Sequence, residues 1–471
     1  MASISALSKI FGYVDSKVSQ TPEQAKREKK LASSLKALLA RALPEANITF
    51  LGSSARDTGL KYDRDIDIFA AFDQKLSEKS IVERTSKAVK RVIRAKWIMR
   101  YAEHPYLQCE YEGYRVEVIP CFSIKPKQAI KSAVDRSPLH MEYLHPRLTA
   151  EQRRDVRVLK QLLKNAGIYG AQARVEGFSG YVCELLVLNY RSLTNLLQDA
   201  SKWVGQVFID IEGHYSQDEN ELASKFPSAP LVVVDVTDAK RNAAAALSPD
   251  NLARFVTLCR AVILNPSEGL FFSNRTHALS KNVLAAMDRR RTHYICVCLP
   301  SPDKVEDILI PQLRKTASNF AAFLMRQGLN LVDHAYFLDG KSAYLLFEFA
   351  FDRQSPVKLA MGPPAYDEKS VSRFLSTRKS ETMLRGPFIK GGRVCVESAS
   401  DLKAVDSVRD YLSNPGLHGA ASHLEKPLKK AKVFDGSKQV VACMSQDALD
   451  SMLVFVEKAD FWLQDFAKTG K

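Results

Sequence analysis

Asp65 and Asp67 stand two residues apart in Asp63-Arg64-Asp65-Ile66-Asp67-Ile68-Phe69. In a strand, that spacing puts both carboxylates on one face. Strand interiors disfavour Asp, and adjacent carboxylates repel. A divalent cation held between them would offset the cost. Mg²⁺ suits the place, because it takes hard oxygen ligands from carboxylates and substrate phosphates. By itself the pair fits an exposed acidic strand edge equally well. Just upstream lies Gly52-Ser53-Ser54-Ala55-Arg56-Asp57-Thr58-Gly59-Leu60. A glycine turn entering a helix leaves backbone N–H groups free for phosphate. Ser53 adds a hydroxyl and Arg56 a cation. A phosphate cradle joined to a metal pair by a short loop is far more specific than either part. Glu117, in the alternating apolar run Tyr114–Pro120, is the natural third ligand once the pair is in place. Three carboxylates can hold two Mg²⁺. One ion would lower the pKa of an attacking hydroxyl. The other would hold a triphosphate and stabilise its pyrophosphate leaving group.

Three strands must position these groups: Ile48 to Leu51 running into the glycine turn, Ile66 to Phe72, and Tyr114 to Pro120. Two helices accompany them. Thr21-Pro22-Glu23-Gln24 is a capping-box start for a helix through Leu31, Leu35, Leu38 and Leu39 that ends before Pro44. A second helix spans about Ser80 to Ile93. The result is a mixed α/β unit of about 150 residues, an ordinary domain size. A helical region follows. Thr149 and Gln152 cap a helix that carries Lys160 and stops at Gly167. Gly180 to Tyr190 is a helix with one apolar face. Leu231 to Val236 reads as a buried strand and Asn251 to Leu264 as a helix. Farther on, strands at His293–Leu299 and Ala343–Phe351 flank a helix at Asp307–Gln327. That layout suits a small RNA-binding α+β module, among others. Gly362-Pro363-Pro364 breaks the pattern and suggests a boundary. Gly416 to Lys432 is lysine-rich and weakly patterned.

Composition narrows the function classes. The 471 residues are 46% hydrophobic and 26% charged, which excludes a disordered, collagenous or coiled-coil chain. A formal charge of +15 points to an anionic partner such as nucleic acid or an anionic membrane. No run approaches the roughly 18–20 apolar residues that cross a bilayer. Met1 to Val18 lacks the apolar core of a signal peptide. The expectation is a cytoplasmic protein with reduced thiols. None of the eight cysteines has C-x-x-C spacing. Cys296 and Cys298 should share one face of a strand as core residues, and no zinc is expected. No P-loop occurs, which argues against a P-loop ATPase.

The glycine turn, the Asp pair and the third acid resemble the nucleotidyltransferase superfamily built on the DNA polymerase β fold. Over the whole chain the resemblance is to archaeal, class I CCA-adding enzymes. It is carried by Phe50-Leu51-Gly52-Ser53, Arg64-Asp65-Ile66-Asp67-Ile68-Phe69, Tyr101-Ala102-Glu103-His104-Pro105-Tyr106 and Val118-Ile119-Pro120-Cys121. It continues in Ser132-Ala133-Val134-Asp135-Arg136-Ser137-Pro138-Leu139-His140, Gly177-Phe178-Ser179-Gly180-Tyr181, Arg241-Asn242-Ala243-Ala244-Ala245-Ala246-Leu247-Ser248 and Val305-Glu306-Asp307-Ile308-Leu309. The likeness runs from about residue 21 to 410 and weakens beyond.

The resemblance implies an α+β multidomain chain. Its parts would be a polymerase β-like head (1–147), a helical neck that binds the nucleotide base (148–265), an α+β body (266–352) and a tRNA-binding tail (353–471). The implied activity is addition of CCA to the 3′ end of tRNA from CTP and ATP, without a nucleic acid template. It would depend on Mg²⁺, two ions in all, and release pyrophosphate. Asp65, Asp67 and Glu117 would hold the metal. Ser53 and Arg56 would bind the nucleoside triphosphate, and His140, Lys160 and Tyr169 its phosphates and sugar. Arg241 would read the base edge. Taken singly, Lys160 also fits a solvated cation and Tyr169 a cap on the core. His104 fits either a contact to the primer terminus or a buried structural histidine. The family usually has Asp where this chain has Glu117, and the extra methylene moves the oxygens by roughly 1.5 Å on a fixed backbone. Poly(A) polymerases and oligoadenylate synthetases share the Gly-Ser and D-x-D core and are the alternatives within this chemistry. A catalytically weakened RNA-binding relative is the alternative outside it. The partners implied are tRNA, CTP and ATP, with no membrane; a homodimer is left open. The tRNA grip is expected from Arg289-Arg290-Arg291, from Arg153, Arg154 and Arg157, and from the lysines near residue 430.

Overall fold

A computed structural model describes residues 4–101, 104–124, 130–215, 219–273, 277–377 and 383–464. Ala102 and Glu103 of the tyrosine-to-tyrosine motif lie outside them. The chain forms two compact units, Met1–Asn274 with Asp460–Lys471, and Arg275–Ala459.

The first unit opens with helix α1 (Ile4–Val18), then α2 (Pro22–Ala42), β1 (Asn47–Leu51), the single turn α3 (Gly52–Ala55), β2 (Asp65–Phe72), α4 (Glu78–Val92), β3 (Ile98–Tyr101), β4 (Pro105–Tyr111), β5 (Tyr114–Phe122) and α5 (Arg136–Leu144). The five strands form one sheet in the order β1-β2-β5-β4-β3. β2 and β5 run parallel; the other neighbours are antiparallel. Ile66, Ile68, Ala70 and Phe72 point to one face, where α2 and α4 bury them. The alternate residues, Asp65 and Asp67 among them, face the other way, as a period of two requires. The Thr21–Gln24 capping box forms as expected.

The rest of this unit is helical, with a small sheet: α6 (Ala150–Asn165), α7 (Gly180–Tyr190), α8 (Leu193–Ala200), β6 (Val207–Ile209), α9 (Glu219–Lys225), β7 (Leu231–Asp235), β8 (Asp238–Asn242) and α10 (Pro249–Leu264). The sequence suggests that α7 is apolar on one face. The structure buries Val182 through Val187 all round, because α7 lies inside the bundle between α6 and α8. α1, not expected from the sequence, packs Leu7, Phe11, Val14 and Val18 into the same core. Trp462 returns to this core and its indole N–H donates to Thr257 Oγ1 at 3.0 Å.

The second unit holds α11 (Ser280–Arg290), β9 (His293–Pro300), α12 (Glu306–Arg326), β10 (Leu331–Leu338), β11 (Ser342–Phe349), β12 (Val357–Pro364), α13 (Glu368–Ser376), β13 (Met383–Lys390), β14 (Arg393–Ala399), α14 (Ala404–Ser413), α15 (Ser422–Leu428), β15 (Lys432–Asp435), α16 (Ser437–Cys443) and α17 (Gln446–Glu457). Its sheets run β10-β11-β9-β15 and β12-β14-β13. The strand–helix–strand expectation becomes β9-α12-β11, with β10 intervening. Cys296 and Cys298 do share a face of β9, toward one core. Gly362-Pro363-Pro364 does not separate elements: it ends β12. β12 is an edge strand, so prolines there forfeit no inner-ladder hydrogen bond. A β-carbon at Gly362 would stand 2.7 Å from the Phe374 ring of α13. The lysine-rich stretch is ordered as α15 and the start of β15. Among the described residues no helix is long and apolar enough to cross a membrane.

Candidate active site

The parallel pairing of β2 with β5 sets Asp67 directly opposite Glu117, and Asp65 opposite Arg115. β1 continues the row, with Leu51 opposite Asp67. The backbone turns sharply at Gly52, with φ +81°, and a β-carbon there would stand 2.1 Å from Asp67 Oδ2. Glycine is therefore required twice, for conformation and for space. Ser53 follows in α3, half-buried, and Ser54 donates its hydroxyl to the Asp65 carbonyl at 2.9 Å.

The carboxylates sense one another. Burial, with the charges of Glu117 and Asp65, pushes the Asp67 carboxyl up to about 7, against the pull of Arg56 and Arg115. Burial also raises Glu117, opposed by a hydrogen bond from Gln108 (2.8 Å) and by Arg115. Arg115 pairs with Asp65 at 2.6 Å and lies 3.8 Å from Glu117. Among the described residues no three carboxylate, histidine or cysteine side chains converge on a single point. The donor set still fits Mg²⁺. It offers hard oxygens, with Asp67 buried between two other carboxylates that raise it, and Mg²⁺ commonly takes one or two carboxylates plus substrate phosphates.

Behind the glycine turn, Arg56 is clamped on Glu184 of α7 by two contacts of 3.0 Å. Glu184 is fully buried and also accepts from the Thr58 hydroxyl at 2.5 Å. Lys160 is 1% exposed, so it is no solvated cation. Its ammonium donates to the Thr58 carbonyl at 2.9 Å, and burial lowers its pKa. Tyr169 is half-buried beside it. A β-carbon at Gly180 would come within 3.1 Å of the Tyr169 hydroxyl and 3.4 Å of Lys160 Nζ. The glycine turn is thus bound to α6 and α7. His104 is 2% exposed, with Nδ1 3.3 Å from Glu78.

His140 and Arg241 meet at Asp235, the last residue of β7. His140 Nε2 lies 3.1 Å from both carboxylate oxygens, and Arg241 donates to Oδ2 at 2.6 Å. Tyr181 donates its hydroxyl at 3.2 Å and stacks on the His140 ring at 3.9 Å. Burial alone would raise the Asp235 carboxyl. The His140 bond and charge, with the Thr237 N–H and hydroxyl, outweigh burial and hold it below the usual range. Arg241 lines a cavity of about 1130 Å³ with Arg136, Ser132, Ser179, Lys240 and Asn242.

Sequence reasoning missed Glu184 and Asp235. Each is a lone acid in an apolar run, Val182-Cys183-Glu184-Leu185-Leu186 and Leu231-Val232-Val233-Val234-Asp235. A carboxylate is rarely buried unless paired, so such a placement itself announces a buried partner.

Three family descriptions match in succession. A nucleotidyltransferase domain covers residues 29–140, the second domain of tRNA nucleotidyltransferases covers 154–272, and the C-terminal domain of CCA-adding enzymes covers 290–436. The CCA-adding enzyme of Archaeoglobus fulgidus is 38% identical over 379 residues, spanning 80% of this chain and 83% of that protein. The chain belongs to the CCA-adding enzyme family. The CCA-adding enzymes of Haloarcula marismortui (32% identity) and Halorubrum lacusprofundi (35%) match 89% and 88% of this chain, and 92% of their own lengths. As expected for the family, the chain is an α+β multidomain protein with a polymerase β-like head.

Proposed function

We propose a division of labour for the activity that family membership carries, the addition of CCA to tRNA 3′ ends. The single observation behind it is the β2–β5 register, which aligns Asp67 with Glu117 beside the glycine turn that β1 brings against Asp67. Asp65, Asp67 and Glu117 would hold Mg²⁺, two ions when the third carboxylate joins. The chemistry Mg²⁺ would supply at these carboxylates is a lowered pKa for the RNA 3′-hydroxyl and charge compensation for the leaving pyrophosphate. Ser53 hydrogen-bonds the triphosphate from the turn. Arg56 and Lys160 fix that turn through Glu184 and Thr58 and present positive charge behind it. Tyr169 orients the sugar, His140 the phosphates, and Arg241 reads the base of CTP or ATP from the cavity wall. Residues 1–147 act as catalytic head, 148–265 as neck, 266–352 as body and 353–471 as tRNA-binding tail, working in the cytoplasm.

The test is one incubation of purified protein with tRNA lacking CCA, Mg²⁺ and each labelled triphosphate. Addition of C, C and A followed by a stop is expected. Unlimited A addition would indicate a poly(A) polymerase, and tRNA binding without addition would indicate a weakened relative.

A further inference from the structure

Asp235 is fully buried, yet two of its partners stay partly exposed, and one of them, Arg241, lines the cavity. His140 comes from α5 of the head and keeps 12% of its side chain exposed; Arg241 comes from β8 and keeps 36%. Removing a carboxylate from water is costly and is recovered only when donors surround it. Here they do: Arg241, His140, Tyr181 and both donors of Thr237 share two oxygens. Four of these donors would satisfy the carboxylate, which has about four lone-pair sites. His140 and Arg241 therefore share one anchor, and displacing either changes what remains for the other.

We infer that Asp235 is a positioning residue that couples the phosphate contact to base selection. It touches neither substrate, but it holds His140 and Arg241 in one arrangement, so the choice between CTP and ATP depends on it. This rests on the roles proposed for His140 and Arg241. Thr237 and Tyr181 keep the carboxylate from following Arg241 when a base enters, so the guanidinium is aimed rather than free.

The experiment uses the full-length enzyme and a tRNA ending in CC, with CTP and ATP measured separately. Asp235→Asn keeps the size but presents an N–H where Arg241 and His140 need an acceptor. The ratio of kcat/KM for ATP over CTP should fall about tenfold or more, with KM raised for both nucleotides. On an Arg241→Ala background the same change should alter the ratio less than about twofold, because the shared route is already cut. Unchanged discrimination in a folded Asp235→Asn protein, or full additivity with Arg241→Ala, overturns the coupling. If Asp235→Asn does not fold, the pair His140→Ala and Arg241→Ala carries the test. Coupling of about fivefold between them is expected, and none overturns the inference. Wild-type enzyme assayed alongside separates the two levels: if it fails to complete CC with A, the activity assignment falls rather than the role of Asp235.

Discussion

Gly52 packs so tightly on the Asp67 carboxylate that an added β-carbon would lie 2.1 Å from Oδ2. Gly52→Ala should cost more than about 1 kcal/mol in urea unfolding, from the positive φ alone. It should also lower incorporation about a hundredfold, because it displaces a carboxylate proposed to hold the metal. Asp65→Ala or Asp67→Ala should abolish incorporation while tRNA binding stays nearly intact in a filter or shift assay. Loss of binding by a folded variant would remove these residues from the metal site. Glu117→Asp should retain or raise activity if the family geometry applies. Here Gln108 bonds Glu117, an interaction fitted to the longer side chain, so complete inactivation would mean the surroundings are built for Glu.

Among elements, α1 and α6 show two different ways in which sequence encodes a helix. α6 carries an explicit start, with Thr149 and Gln152 bonding each other's backbone. Thr149→Ala should cost about 1 kcal/mol. α1 has no cap in the described residues and is held by packing: Leu7, Phe11, Val14 and Val18 recur at helical spacing and vanish into the core shared with α6, α7 and α10. Phe11 is 2% exposed and meets Phe271 edge-on at 6.3 Å. Phe11→Ala should cost about 3–5 kcal/mol, well above the cap, by the same unfolding measurement. A smaller loss for Phe11→Ala than for Thr149→Ala would mean that α1 is not part of the core. α1 is hard to read in the sequence, because polar residues such as Ser8 and Lys9 interrupt a stripe that emerges only at a period of 3.6.

For the whole molecule, the +15 charge is not distributed as its clusters suggest. Arg157 is buried against Asp15 and Asp57, and Arg290 is clamped on buried Glu348. Arg153 bonds the Leu148 and His145 carbonyls. These arginines stabilise the units rather than stand free for phosphate, which corrects the expectation that each run grips tRNA as a block. Lys426, Lys429, Lys430 and Lys432 are exposed. Replacing Lys429 and Lys430 by alanine should weaken tRNA binding and flatten the plot of log affinity against log salt by about one unit for each phosphate no longer neutralised. Arg157→Ala should instead lower the melting temperature. A flatter salt slope with unchanged stability would return Arg157 to the RNA surface.

The sequence by itself determined the chemistry and the strands that bear it. Asp65 and Asp67 share a face because a strand repeats every two residues, and Gly52 marks its turn because no other residue accepts that φ freely. It also determined the helix starts at Thr21 and Thr149, since caps are local. Glu117 is legible as a third acid, but only tertiary structure decided which strand lies beside the Asp pair. The parallel neighbour that sets Glu117 beside Asp67 is separated from it by about fifty residues and two intervening strands. Glu184 and Asp235 gather partners from elements that no local pattern links. From the sequence, Lys160 fits a nucleotide contact or a solvated cation; the fold buries it beside α7. The reason is physical: periodicity and capping are written in neighbouring residues, whereas the cost of burying a charge is met only by whatever the folded chain brings to it.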